Sequence, residues 1–230
     1  KRGVTFELNA RVTAVDADGV RFQREGKETV VKADKVLLSI GRRANTADIG
    51  LEALGVYTER GAVVTDSRMR TNIPDVYAAG DVNGKLMLAH KAYREAEVAV
   101  NNMLGQHDIM RYDAVPSVLY TNPEIASVGE TEVSATAKGY PFKTVRLPMQ
   151  YSGRYQAENE GGRGIMKLLV HQHTNRVLGM HVIGNYASEF IIAAVSYMEL
   201  GVTLEEIKKI VFPHPTVSEI IREAVFQYEQ

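Results

Sequence analysis

The chain has 230 residues, with 27 Lys and Arg against 28 Asp and Glu, and no cysteine. Its length suits one large domain or two small ones, and a formal charge of −1 gives no bulk electrostatic reason to bind nucleic acid or an anionic membrane. The missing cysteine excludes disulfides, thiolate metal sites and thiol chemistry by these residues, no apolar run approaches the ~18–20 residues of a membrane span, and the basic opening KRGVTFELN lacks the apolar core of a signal peptide.

Residues 1–40 read as short strands. VTFELNARVTAVDADGVRFQR alternates apolar and polar residues around an Asp18-Gly19 hairpin turn. ETVVKAD and KVLLSIG follow as a second pair; Val36-Leu37-Leu38-Ser39-Ile40 is apolar on both faces, the pattern of a buried strand, and Gly41 ends it. Residues 42–75 are mostly loop, with a strand over 62–65. Val76–Ala79 reads as a short strand stopping at Gly80-Asp81. A helix is predicted over 88–104, with Ala89, Ala92, Tyr93, Ala96, Ala99, Val100, Met103 and Leu104 on one apolar stripe and Gly105 closing it. The polar, aperiodic stretch 106–116 places a domain boundary near 113.

Beyond it the pattern predicts strands near 117–120, 125–129 and 142–147, and a helix near 131–138 closed by Gly139. A hairpin of GIMKLLVH and RVLGMHVIG crosses Thr174-Asn175, and a helix over 187–200 presents Phe190, Ile191, Ala194, Val195 and Met198 before Gly201. Thr203-x-x-Glu206 and Thr216-x-x-Glu219 are capping boxes for two last helices. Between them, Pro213-His214-Pro215 is held extended. The fold class expected is α/β followed by an α+β unit with an antiparallel sheet.

Three segments carry candidate chemistry. In Thr71–Asp81 a short strand ends in a Gly-Asp pair, at the end of a sheet where ligands of α/β folds collect, and an Asp there can accept hydrogen bonds from polyol hydroxyls. Met87-Leu88-Ala89-His90 forms the mouth of the long helix, whose free amides and positive dipole end suit an anionic or electron-rich ligand. On spacing alone the Gly-Asp pair reads equally as a strand-ending turn. Ser39–Arg43 ends a strand in Gly41, by itself an ordinary turn. In Phe212–Glu219, His214 sits on extended backbone just before a helix, and Glu219 lies one turn into it. The pair reads either as a surface histidine and a capping glutamate or as a base and its orienting carboxylate. Glu160–Gly164 is a hairpin approach rather than a phosphate loop. His171, His173 and His181 lack supporting carboxylates or thiolates at metal-ligand spacing, so no metal site is expected.

The T-x-x-x-x-V-Y-A-A-G-D segment at 71–81, followed by MLAHKA at 87–92, resembles the second flavin-binding segment of the pyridine nucleotide–disulfide oxidoreductases. The resemblance implies that Asp81 hydrogen-bonds the ribitol of FAD. It also implies that Met87, Leu88, Ala89 and His90 form a helix mouth stabilising charge on the reduced flavin. SIGRR is similar to the family segment closing the NAD domain, which implies a Gly41 backbone near the nicotinamide; Ala44 stands where that pattern has Pro. Val12 aligns with a strand residue near the cofactor adenine. HPTVSE resembles the HPT-x-S-E motif of the dihydrolipoamide dehydrogenase branch. That implies His214, paired with Glu219, as general base for a dithiol, reaching across a homodimer interface into the partner's flavin site. Val217 and Ile220 replace residues of the glutathione reductase HPTSSEE, which favours lipoamide. The carboxyl-terminal Cys pair of mercuric reductases is absent. Residues 151–159 match a family stretch near the subunit interface.

The resemblance covers only the second half of the family fold: this sequence holds no C-x-x-x-x-C, no GxGxxG for the FAD diphosphate and no second glycine fingerprint for NAD. The expected division is 1–44 as closing strands of an NAD domain, 45–113 as the returning part of an FAD domain, and 114–230 as an interface domain. The resemblance thus implies a carboxyl-terminal fragment of a dihydrolipoamide dehydrogenase, inactive alone and binding no cofactor. Its parent would use FAD and NAD, form a homodimer and serve lipoyl domains of a 2-oxoacid dehydrogenase or glycine cleavage complex, in the cytoplasm or the mitochondrial matrix. The alternatives are a non-catalytic dimerisation module and another disulfide reductase of the family. No nucleic acid, membrane or metal partner is expected.

Overall fold

A computed structural model of the chain describes residues 3–228. Its backbone divides between Arg42 and Arg43 into two units.

In the first unit, β1 (Arg11–Asp16), β2 (Gly19–Arg24) and β3 (Lys27–Val31) form an antiparallel meander in sequence order. The hairpin turn forms where the sequence places it: Asp16 accepts the Asp18 amide at 2.9 Å, and Arg21 bridges Asp16 and Asp18 at 2.9 and 3.0 Å. The buried strand expected at Val36–Ile40 does not form. That segment has no regular secondary structure and joins no ladder among the described residues, and Leu37 is 89 % exposed. Apolar side chains do not make a buried strand unless neighbouring strands take up its amides and carbonyls. The meander's hydrogen bonds run among β1, β2 and β3 alone.

The second unit opens with one helical turn, α1 (Leu51–Leu54), and a small hairpin of β4 (Thr58–Glu59) and β5 (Ala62–Val63). The expected strand at 62–65 is therefore two residues long, and that at 76–79 is reduced to a single bridge between Arg70 and Tyr77. Pro74 and the left-handed Asp75 (φ 61°) prevent a longer ladder, so residues 69–78 fold back as a loop. Thr71 closes it through its amide and hydroxyl, both donating to the Val76 carbonyl at 3.0 and 2.9 Å.

Helix α2 (Ala89–Met103) spans the expected segment but turns a different face inward. Lys91, Glu95, Val98, Ala99 and Asn102 are buried, whereas Tyr93, Val100 and Met103 of the apolar stripe are exposed, Tyr93 by 72 %. Burial follows the face that meets partners. Val98 and Ala99 pack with Met69 and Met110 in a small core, and the buried polar side chains of the same face find hydrogen bonds there.

The main core lies in the carboxyl-terminal half. An antiparallel sheet of β6 (Ser117–Leu119), β7 (Ile125–Gly129), β8 (Phe142–Pro148), β9 (Ile165–His171) and β10 (Val177–Ile183) runs in the order β6-β7-β10-β9-β8. The connecting helices are α3 (Glu132–Ala137), α4 (Gly153–Glu158), α5 (Ala187–Leu200), α6 (Leu204–Ile207) and α7 (Glu219–Gln227). Leu147, Met166, Leu168 and Met180 meet α5 and α7 in one cluster, with Ala187, Ala194, Ile220 and Ala224 from the helices. The Thr203–Glu206 capping box forms with both arms. The Thr216–Glu219 box forms only its return arm, Glu219 accepting the Thr216 amide at 2.8 Å. The Thr216 hydroxyl is diverted to the Pro213 carbonyl at 2.8 Å, and the helix starts one residue after Ser218.

Gly129 and Gly179 face each other in the β7–β10 register. Gly129 has φ 76°, and a Cβ there would lie 2.2 Å from the Leu178 carbonyl oxygen. Gly129→Ala is expected to destabilise the fold by more than about 3 kcal/mol through strain and overlap; an unchanged urea-unfolding midpoint would contradict this close approach.

Candidate functional site

Gly80 adopts φ 85°, ψ −157°, a region open essentially to glycine alone. This sharp bend carries the chain from the 69–78 loop into a 3-10 turn, Asp81–Asn83, and leaves Asp81 exposed on its outer side. Leu88 precedes α2 in an extended conformation with no side-chain cap, so the first amides of the helix carry their partial positive charge uncancelled. Met87 and Leu88 are half-buried and Ala89 and His90 exposed where they lead into α2, while Asp81 opens the 3-10 turn that precedes them. The His90 ring is engaged elsewhere: its Nε2 donates to the Pro116 carbonyl at 2.7 Å. What His90 offers at the mouth is its backbone.

Beneath this turn lies a cluster with no counterpart in the sequence reading. Lys91 Nζ and Glu95 Oε2 are 3.0 Å apart, with both side chains fully buried. Glu95 Oε2 also accepts the Gly80 amide at 2.7 Å, and its Oε1 accepts from Asn83 Nδ2 at 2.8 Å and from the Tyr112 hydroxyl at 2.6 Å. Lys91 donates to the Gly80 carbonyl at 3.2 Å and to Asn83 Oδ1 at 3.3 Å. Burial drives the Glu95 carboxyl upward, but hydrogen bonds from Tyr112, Asn83, Gly80 and Lys91 outweigh it and hold the group below the ordinary glutamate range. Burial first, and then the bond to Glu95, raises the Tyr112 phenol. The available signal was the i,i+4 Lys-Glu spacing on α2, which the apolar stripe obscures by suggesting a solvated pair.

The following segment, 104–116, is pinned to the same helix. Asp108 accepts both Arg94 guanidinium nitrogens at 2.8 and 2.6 Å and the Asn101 amide at 2.8 Å.

The second element is the His214–Glu219 pair. The flanking prolines keep His214 out of α7, and its side chain is 81 % exposed. Glu219 serves two partners with its two oxygens: Oε2 takes the Thr216 amide and Oε1 meets His214 Nδ1 at 2.9 Å. The Thr216 amide first, and then the imidazole, lowers the Glu219 carboxyl. An ionised carboxylate at Nδ1 fixes the proton there and leaves the Nε2 lone pair outward, the arrangement of an oriented general base. Pro215, Thr216, Val217 and Ser218 also line a cavity of about 290 Å³ with Arg154, Tyr186 and Phe190.

The remaining candidates belong to the first unit. Val12 lies exposed on β1, and Gly41 is exposed with φ 116°. The strand histidines are taken up by backbone: His171 Nδ1 accepts the His173 and Thr174 amides, and His181 Nε2 donates to the Glu130 carbonyl at 2.8 Å. Among the described residues no group of three or more His, Cys, Asp or Glu could hold a metal ion, and no helix is long and apolar enough to cross a membrane.

An antiparallel sheet domain bearing a His-Glu pair, joined to a Gly-Asp turn below an uncapped helix, matches known proteins throughout. Residues 115–225 match the dimerisation domain of the pyridine nucleotide-disulphide oxidoreductases, and residues 1–96 match the pyridine nucleotide-disulphide oxidoreductase domain. The chain belongs to that family. Within it, the chain is 39 % identical over 225 residues to the dihydrolipoyl dehydrogenase of Chlamydia muridarum, covering 97 % of this chain and 48 % of the relative. The fold superposes on LpdA from Mycobacterium tuberculosis with a TM-score of 0.85 at 30 % identity, covering 96 % of this chain and 48 % of that one. It also superposes on RclA from Escherichia coli, an HOCl-induced flavoprotein disulfide reductase, with a TM-score of 0.80 at 28 % identity, covering 95 % and 51 %. The chain spans about half the length of these relatives.

Arg94 and then Asn101 hold the Asp108 carboxyl at about 2, below its usual 3.8. A depressed carboxylate stabilises the fold fully above its unfolded pKa and loses that contribution as pH falls through the folded one. Asp108→Asn is therefore expected to lose about 1 kcal/mol at pH 7, after allowance for solvent screening. The difference from the parent chain narrows as pH drops from 4 towards 2; urea titrations across that range check it.

Proposed function

We propose that this chain is the carboxyl-terminal half of an NAD-dependent flavoprotein that oxidises a dithiol of the dihydrolipoamide type. In this reading residues 1–44 close the NAD domain, 45–113 return through the FAD domain and 114–230 form the interface domain of a homodimer. The observation that carries the reading is the His214–Glu219 pair, with Nδ1 bound to a carboxylate and Nε2 outward.

The residues present suit a flavin. Gly80 lies in a conformation that needs glycine, Asp81 offers an exposed carboxylate for ribitol hydroxyls, and the uncapped helix mouth at Met87, Leu88, Ala89 and His90 favours negative charge. Bound FAD would supply the two-electron relay between dithiol and NAD. Gly41 and Val12 would lie along the NAD site. His214 would take the proton of the first substrate thiol at Nε2, leaving a thiolate to attack the redox disulfide that the family carries outside this sequence. Glu219 would keep the imidazole aimed and balance its positive charge. The dithiol gives up two electrons and two protons in all, and His214 accounts for the first of those protons. Lipoyl domains of a 2-oxoacid dehydrogenase or glycine cleavage complex are the proposed partners, in the cytoplasm or the mitochondrial matrix. Similarity to RclA supports a second reading, a related disulfide reductase with another disulfide substrate, which a substrate panel on the intact protein separates.

In the intact protein His214→Gln should slow dithiol oxidation by about 100-fold or more with FAD still bound, and Glu219→Gln by about tenfold; wild-type turnover in His214→Gln would remove this base from the mechanism. The 230-residue chain alone should show neither lipoamide–NAD turnover nor bound flavin. A yellow, active preparation of it would contradict the proposal.

A further inference from the structure

Resting on the flavin reading of Asp81, we infer that Glu95 and Lys91 are positioning residues for that carboxylate, and that Tyr112 ties the constraint to the segment leading into the five-stranded sheet. Gly80 has no side chain to hold its unusual backbone in place, so its own amide and carbonyl must do so. The buried pair takes both: the amide goes to Glu95 Oε2 at 2.7 Å and the carbonyl to Lys91 Nζ at 3.2 Å. On the other side of Asp81, Asn83 is gripped by the same two residues, its Nδ2 donating to Glu95 Oε1 at 2.8 Å and its Oδ1 accepting from Lys91 at 3.3 Å. Asp81 is thus straddled by two anchored neighbours while it remains exposed itself.

Stability alone is a poor reason for this construction. A buried ion pair commonly gains nothing over apolar residues of similar volume, because desolvation offsets the attraction. What it provides is geometry: four donors converge on one carboxylate from the turn, the helix and the following segment, leaving it little freedom to reorient. An amide at position 95 would set a donor against the Gly80 amide. The Tyr112 hydroxyl, 2.6 Å from Glu95 Oε1, and the His90 ring on the Pro116 carbonyl extend the same anchoring into residues 112–116. The orientation of the proposed flavin carboxylate is therefore set jointly by α2 and by the approach to the sheet domain.

The test uses the intact flavoprotein with Glu95→Gln, Lys91→Met and Tyr112→Phe, and Asp81→Asn as reference. FAD affinity is measured by fluorescence titration of each apo-protein well below its unfolding midpoint, and the visible circular dichroism of the bound flavin is recorded. Glu95→Gln and Lys91→Met should weaken FAD binding tenfold or more, approaching Asp81→Asn, with an altered dichroic band, and Tyr112→Phe several-fold. Folded Glu95→Gln or Lys91→Met protein with unchanged affinity and dichroism, and only a lower midpoint, would make the pair purely structural and overturn the inference. Should neither fold, Tyr112→Phe decides alone, and unchanged affinity there overturns it. If Asp81→Asn itself binds FAD as tightly as wild type, the flavin reading has failed, independently of the positioning.

Discussion

Lys91 and Glu95 stand one helical turn apart with no solvent exposure, and much of the surrounding structure follows from satisfying them. A buried ion pair stripped of one partner costs about 3–5 kcal/mol, so such a pair persists only where every donor and acceptor is used. Gly80, Asn83 and Tyr112 meet that need. In doing so they fix which face of α2 points inward, where the 3-10 turn sits, and how closely the segment after the helix lies against it. The apolar face of α2 is left outside because the inward face is already occupied by this polar cluster and the small core around Val98 and Met69.

The sheet domain was largely legible in the sequence, and the amino-terminal part was not. β7, β8, β9, β10 and α5 announce themselves through local signals: alternation, a tight turn at Thr174-Asn175, and glycine at the end of a helix. Val36–Ile40 and Val76–Ala79 carry equally strong strand patterns, but a ladder also needs partners, and no residue pattern within the segment shows whether they are there. The inward face of α2 was misread because apolar periodicity identifies a core only when the core is apolar. The start of α7 slipped by two residues: the Thr216 hydroxyl donates back to the Pro213 carbonyl, and the chain enters the helix from Ser218. His214 and Glu219 are legible from spacing and resemblance, and their side chains lie in contact at 2.9 Å. Lys91, Glu95 and Tyr112 were not found, since their significance lies in what they touch across the fold.

The two candidate elements solve a similar problem by opposite means. Around Asp81 a buried network leaves an exposed carboxylate with a defined backbone. Around His214 the imidazole is itself exposed and a single partly covered carboxylate orients it. The sequence reading offered capping arm and orienting carboxylate as alternatives for Glu219. In the structure one side chain makes both contacts, an oxygen for each.

That division of labour gives α7 a role beyond packing. Because the oxygen facing His214 belongs to a side chain whose other oxygen is fastened at the first turn, the imidazole inherits its aim from the rotational phase of the helix. Each residue of an α-helix advances about 100° around its axis. A one-residue slip in where α7 winds up would carry Glu219 away from the ring altogether, and the buried Ile220, Ile221 and Ala224 resist that slip by their seats in the core. The direction in which the exposed ring points is thus indexed, through a screw axis, to hydrophobic contacts at the far side of the helix.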